Sequence, residues 1–169
     1  MKRLAIYGGE KTKTKAFPKW PYSNERELDL VDEVFSSGSW WRMGGDKVKT
    51  FERKFAALHN VKYCLGVTNG THAIEIALIA LGIKHGDEVI VPAVTFVSTG
   101  SAVIYVNATP VLVDIDPETF CMIPEAFEKA ITPKTKAVIP VHMAGHACDM
   151  EKICMIARKH NIKVIEDAP

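Results

Sequence analysis

An α/β domain, with a mostly parallel sheet flanked by helices, is the fold class this sequence predicts. Three observations carry it. From Val61 onward, five short runs have strand length: "VKYCLGVT", "DEVIVP", "TPVLVDID", "KAVIPVH" and "IKVIED". They are largely apolar, as befits strands covered on both faces. Helical segments separate them, and strands alternating with helices imply a parallel sheet.

Taken in order, the chain opens with two helices before that alternation begins. Leu28, Val31, Val34 and Phe35 recur at helical spacing behind "SNERE". Asn24 and Glu27 there have the spacing of a capping box, and Gly38 stands where a helix-ending residue belongs. After the loop "SGSWWRMGGD", Val48, Phe51, Phe55 and Leu58 mark one face of a second helix. The pattern changes near residue 60, which divides residues 1–60, a helical segment with an aromatic loop, from residues 61–169. Within the second part, helices are expected over Thr71 to Leu81, "TFVSTGSAVIYV", "IPEAFEKAI" with Pro124 near its first position, and Asp149 to His160.

Composition narrows the function. The chain has 169 residues, is 47% hydrophobic and 24% charged, and carries a formal net charge of +1. Its Lys and Arg residues are scattered, so the footprint of a nucleic-acid or membrane-surface binder is missing and small-molecule chemistry is expected. The apolar stretch Leu4 to Tyr7 is too short for a signal core and nothing later approaches a membrane span, which leads to a cytoplasmic expectation. Cys64, Cys121, Cys148 and Cys154 form no CxxC pair and read as reduced, mostly core residues.

In open parallel sheets, ligands sit beyond the carboxyl ends of the strands. The residues to weigh are therefore Thr68 to His72, Pro92 to Phe96, Asp114 to Asp116, His142 to His146 and Asp167 to Pro169. "TNGTHAIEIALIALG" is a polar turn opening directly into a helix, where free N–H groups and the positive end of the dipole favour a phosphate. Gly70 lets the backbone approach an anion and the Thr71 hydroxyl adds a donor; the same residues also suit a plain helix cap. GxGxxG is absent after this strand and GxxxxGK[ST] is absent throughout, which weakens dinucleotide and P-loop readings. Asp167, at the end of an apolar run, needs a partner: the pyridinium nitrogen of a pyridoxal phosphate is one, the cap of a following segment another. Phe96 offers either a face for a flat ring or core packing.

Other residues admit two readings as well. Trp41 and Arg42 could form an apolar wall and a bidentate grip on a substrate carboxylate, or anchor the N-terminal segment or a dimer surface. His142 and His146 have i, i+4 spacing, but Gly145 between them argues for a loop, and no metal site is expected. His142 could lie near a cofactor or be structural. Asp114 and Asp116 in "VDIDPET" read as turn residues.

The ordered series "VTNGTHAIEIALIALGIKHGDEVIVPAVTFVSTGSAVIYVNATPVLVDID", "ITPKTKAVIPVHMAGHACDM" and "VIEDA" resembles the N-terminal part of the DegT/DnrJ/StrS family of fold-type-I, pyridoxal-phosphate-dependent sugar aminotransferases. The likeness runs from about Gly8 to the last residue. "SGSWWRMGG" and "FERKFAALHN" look closest to the branch with 3-amino-5-hydroxybenzoate synthase and aminocyclitol aminotransferases. The resemblance implies pyridoxal 5'-phosphate as cofactor, with Gly70, Thr71 and the backbone of His72 at its phosphate, Phe96 on its ring and Asp167 at its pyridinium. It makes residues 61–169 an incomplete cofactor-binding large domain and residues 1–60 a substrate and dimer loop region. It implies transfer of an amino group from glutamate or glutamine to a keto sugar or related cyclic ketone, and a homodimer with its active sites at the interface. A family variant that dehydrates its sugar, and a noncatalytic binding protein or gene remnant, are the alternatives. The family's Schiff-base lysine lies beyond "EDAP"; Lys134, Lys136, Lys159 and Lys163 read as solvated surface. Residues 1–169 alone are therefore expected not to turn over.

Overall fold

The computed structural model describes residues 3–168, and the chain divides into two compact units, 1–66 and 67–169. In the first, helix α1 spans Glu25–Ser37 and helix α2 Lys47–Leu58. The capping box forms: the Asn24 side chain accepts from the Arg26 N–H at 2.9 Å, and the Glu27 carboxylate accepts from the Asn24 N–H at 2.7 Å. Gly38 ends α1 with φ 66°, the left-handed conformation glycine adopts without penalty. The Trp40 ring stacks on Phe35 with centroids 5.6 Å apart, and its indole N–H donates to the Phe35 carbonyl.

One expected element is absent. Residues 61–68 form no strand. A strand exists only through its ladder, and among the described residues this stretch, which runs across the division between the two units, has no ladder partner.

The second unit is a parallel sheet with helices on both faces. Its elements are α3 (Gly70–Ala80), β1 (Glu88–Pro92), α4 (Ser98–Tyr105), β2 (Thr109–Val113), α5 (Pro124–Lys129), β3 (Thr135–Val138), α6 (Met150–Lys159) and β4 (Lys163–Val164). The strand order is β2-β1-β3-β4, every pair parallel, with Ile90 opposite Val111 on one side and Val138 on the other. Side chains of β1 alternate between two cores, as a period of two requires. Val89 and Val91 pack with Ile74 and Leu78 of α3 and Ala102 and Val103 of α4. Ile90 packs with Phe127 of α5 and Ile153, Ile156 and Ala157 of α6. Covering both faces is what keeps these apolar strands from water.

Strands β3 and β4 are shorter than the sequence suggests, for a local reason. Pro140 has no N–H, so the ladder of β3 is interrupted there. Pairing resumes beyond it: the Asp167 N–H donates to the Pro140 carbonyl and the His142 N–H to the Asp167 carbonyl, both at 3.0 Å, making a parallel bridge between Val141 and Asp167. Cys121 and Cys148 lie in the second core; burial, and then the neighbouring Cys121 thiol, push Cys148 up to about 11. It remains a thiol and donates to the Val141 carbonyl at 3.1 Å.

Candidate functional site

The strand ends of the second unit collect most of the singled-out residues. Helix α3 ends a short loop before the first residue of β1. Its N-terminus is therefore directed to the other end of the sheet, where the strands finish. There Asn69 is the cap: its side-chain oxygen accepts from the His72 N–H at 3.0 Å, and its carbonyl accepts from the Ala73 N–H at 3.1 Å. Among the described residues the N–H groups of Gly70 and Thr71 find no acceptor. The cap thus leaves two open donors, not three, and the His72 N–H expected to assist a phosphate is engaged by Asn69. The His72 ring meets the Thr68 hydroxyl. A Cβ built on Gly70 meets nothing within 4 Å, and its φ is not left-handed, so no contact or strain within the chain calls for glycine here.

Phe96 follows β1 and is 74% exposed, which removes it from the core and leaves its face open. One turn later, Thr99 is wholly buried and donates from its hydroxyl to Asp167 Oδ2 at 2.8 Å. Asp167 is half-buried, and the bridge to Val141 fixes its main chain. Its other carboxylate oxygen has no partner among the described residues. An anion seat at a helix N-terminus, an open aromatic face and a half-buried carboxylate with a free oxygen suit a flat, phosphorylated, cationic ring.

His142 is held through both ring nitrogens. Its Nδ1 accepts from the Cys148 N–H at 3.1 Å, which places the ring proton on Nε2, facing Glu166 Oε2 at 3.1 Å. With both ring nitrogens occupied, its geometry serves the strand end and offers no free nitrogen to a substrate. His146 is exposed, and among the described residues no group of three or more His, Cys, Asp or Glu could hold a metal. Asp116 is a turn residue, as its sequence context indicates. It accepts from the Glu118 and Thr119 N–H groups at 2.8 and 2.9 Å, and these hold its carboxyl below the usual carboxylate range.

In the first unit, Arg42 is not free to grip a carboxylate from outside. Its fork is taken by Glu52, with Nε to Oε1 at 3.0 Å and Nη2 to Oε2 at 2.9 Å, while the Gly66 N–H donates to Glu52 Oε1 at 2.9 Å. Glu52 is only 7% exposed, and a carboxylate in that position needs its donors. Sequence reasoning passed over Glu52 because it reads as one more charge on an amphipathic helix. Trp41 is 73% exposed, and its indole edge lies so close to Gly44 that a Cβ there would stand 2.5 Å from Nε1. The hydrogen bond from Arg42, then that from Gly66, hold the Glu52 carboxyl below the usual range. Its folded value lies under its unfolded one, so the pair stabilises above the unfolded value, and that contribution is lost as pH falls through the folded one. Glu52→Gln is expected to lower the thermal midpoint near neutral pH, with variant and wild type converging in acid. A gap that stays constant with pH contradicts the ion-pair account.

Thr99 was also missed. A threonine amid "TGSAVIYV" carries no sign of its partner 68 residues away.

Comparison with known proteins identifies the family. The model of the DegT/DnrJ/EryC1/StrS aminotransferase family matches residues 21–169. The 3-amino-5-hydroxybenzoate synthase of Amycolatopsis mediterranei is 45% identical over 156 residues, covering 92% of this chain and 40% of that protein. A crystal structure of 3-amino-5-hydroxybenzoic acid synthase superposes with a TM-score of 0.89 at 45% identity, over 92% of this chain and 41% of that one. The L-glutamine:2-deoxy-scyllo-inosose aminotransferase of Micromonospora echinospora is 41% identical over 172 residues, 99% of this chain and 41% of that protein. The crystal structure of NtdA from Bacillus subtilis with bound cofactor PMP has a TM-score of 0.81 at 37% identity, over 94% of this chain and 38% of that one. The chain thus spans about 40% of the length of the relatives it matches. Its fold is that of the fold-type-I aminotransferases, and its relatives include the branch that its aromatic loop resembles. With the family model matched over nearly the whole chain, the chain belongs to the DegT/DnrJ/EryC1/StrS aminotransferase family.

Proposed function

We propose that the protein transfers an amino group from glutamate or glutamine to a keto sugar or related cyclic ketone, with pyridoxal 5'-phosphate as cofactor. The observation that carries this reading is Asp167, fixed by Thr99 at the end of the sheet with one carboxylate oxygen free. In support, related proteins are named for glutamine and an inosose as reactants, and one related structure has PMP bound. The cofactor supplies a carbonyl carbon that carries the amino group and a cationic ring that withdraws electrons from the substrate carbon.

The chain's own residues bind and orient. The Gly70 and Thr71 N–H groups, at the positive end of α3, hold the phosphate, and the Thr71 hydroxyl adds a donor. The Phe96 face covers the ring. The free oxygen of Asp167 accepts the ring N–H and keeps that nitrogen protonated. Lys134, Lys136, Lys159 and Lys163 are all exposed, with Lys159 paired to Glu128 and Lys136 to the Pro133 carbonyl. By family resemblance none of them is the lysine that holds the cofactor covalently, so residues 1–169 in isolation supply the cradle without turnover.

A homodimer with sites shared between subunits and a cytoplasmic location complete the proposal. The exposed Leu28, Val31 and Phe35 on α1 leave apolar surface for such contacts. No helix among the described residues is long and apolar enough to cross a membrane.

The test uses the protein as its gene encodes it, mixed with pyridoxal phosphate, glutamine or glutamate, and a panel of cyclic keto compounds, with product detected by mass. The expected result is a product in which an amine replaces the ketone, dependent on both donor and cofactor. Release of water from a sugar without gain of nitrogen overturns the transferase reading.

A further inference from the structure

We infer that Thr99 is a positioning residue for the cofactor, aiming the free oxygen of Asp167 at the ring nitrogen and securing the turn that bears Phe96. This rests on the cofactor reading above. Thr99 occupies the second position of α4 and is 0% exposed, a place where valine would fill the same volume without a polar atom to satisfy. Its hydroxyl has a specific use. It donates to Asp167 Oδ2 at 2.8 Å and lies 3.0 Å from the Thr95 hydroxyl. Because the Thr99 proton is committed to the carboxylate, Thr95 must be the donor in the second contact. The result is a relay running from Thr95 through Thr99 to Asp167.

The same residue also reaches Phe96. The Thr99 N–H donates to the Phe96 carbonyl at 3.1 Å, so residues 95–99 form one closed turn. The main chain of Asp167 is independently held by Pro140 and His142. With its backbone fixed and Oδ2 engaged, turning of the carboxylate is restricted, and Oδ1 is the oxygen left for a ligand. Orientation of this kind before binding improves affinity and hydrogen-bond geometry without any direct contact.

The experiment titrates the protein, as its gene encodes it, with pyridoxal 5'-phosphate labelled with nitrogen-15 in the ring. Affinity is read from absorbance, protonation of the ring nitrogen from its resonance, and folding from thermal unfolding. Thr99→Val is expected to weaken binding about 10-fold, the scale of one hydrogen bond to a charged group, and to move the resonance toward the unprotonated form. Thr99→Ser, which keeps the hydroxyl, is expected to stay within about twofold of wild type on the same scale. A purely structural threonine would lower the unfolding midpoint and leave affinity and resonance unchanged; that result overturns the inference. If Thr99→Val does not fold, Thr95→Val carries the test. A smaller weakening of about two- to threefold with the same direction of resonance shift supports the relay, and no change overturns it. Wild-type protein that fails to bind the cofactor overturns the cofactor reading as well, whereas wild-type binding matched by Thr99→Val overturns this inference alone.

Discussion

Asp167→Asn is expected to lower kcat for amino transfer by about 100- to 1,000-fold, the cost typical of losing one preorganised electrostatic partner of a reacting centre. The substitution preserves size and can still accept from the Thr99 hydroxyl, so the fold should survive. What it removes is the negative charge. Without that charge the ring nitrogen loses its reason to stay protonated, and the ring withdraws electrons less well. The loss of kcat should persist at saturating cofactor, where the weaker cofactor binding expected from losing this partner no longer limits the rate. Steady-state kinetics of the two proteins, alongside thermal unfolding, decide it. A variant with wild-type kcat contradicts the role assigned to Asp167.

Gly70→Val is expected to separate binding from stability. A Cβ at position 70 meets nothing of this chain within 4 Å, so the variant should keep its stability to within about 0.5 kcal/mol, as surface substitutions do. The branched side chain nevertheless fills the space through which a phosphate would approach the Gly70 and Thr71 N–H groups. Losing one or two charge-assisted hydrogen bonds predicts about 10- to 100-fold weaker cofactor binding. Equilibrium titration with pyridoxal phosphate and a parallel unfolding curve give both quantities. Unchanged affinity would move the phosphate away from α3.

What the sequence disclosed, and what it withheld, follows the range of the interactions concerned. The capping box of Asn24 and Glu27 and the left-handed Gly38 are signals read within four residues, and both form. The alternation of apolar runs and helices gave the parallel sheet, because burial on both faces is written into each strand separately. Residues 61–68 failed as a strand because pairing depends on a partner that composition does not name. The same distinction applies in the site. Gly70, Thr71, Phe96 and Asp167 were singled out because the ends of parallel strands are a predictable place to look. Thr99 was not, since its value comes from a carboxylate 68 positions later. Arg42 and Glu52 show the converse: an exposed-looking pair of charges turned out to be a fork closed on a buried acid and the Gly66 N–H.

The most direct test of the account is a crystal structure of the protein with pyridoxal 5'-phosphate. The account predicts the phosphate at the N–H groups of Gly70 and Thr71, the ring against Phe96, and the ring nitrogen within hydrogen-bonding distance of the Asp167 oxygen not held by Thr99. A cofactor bound with its nitrogen away from Asp167, or its phosphate away from the start of α3, would contradict it.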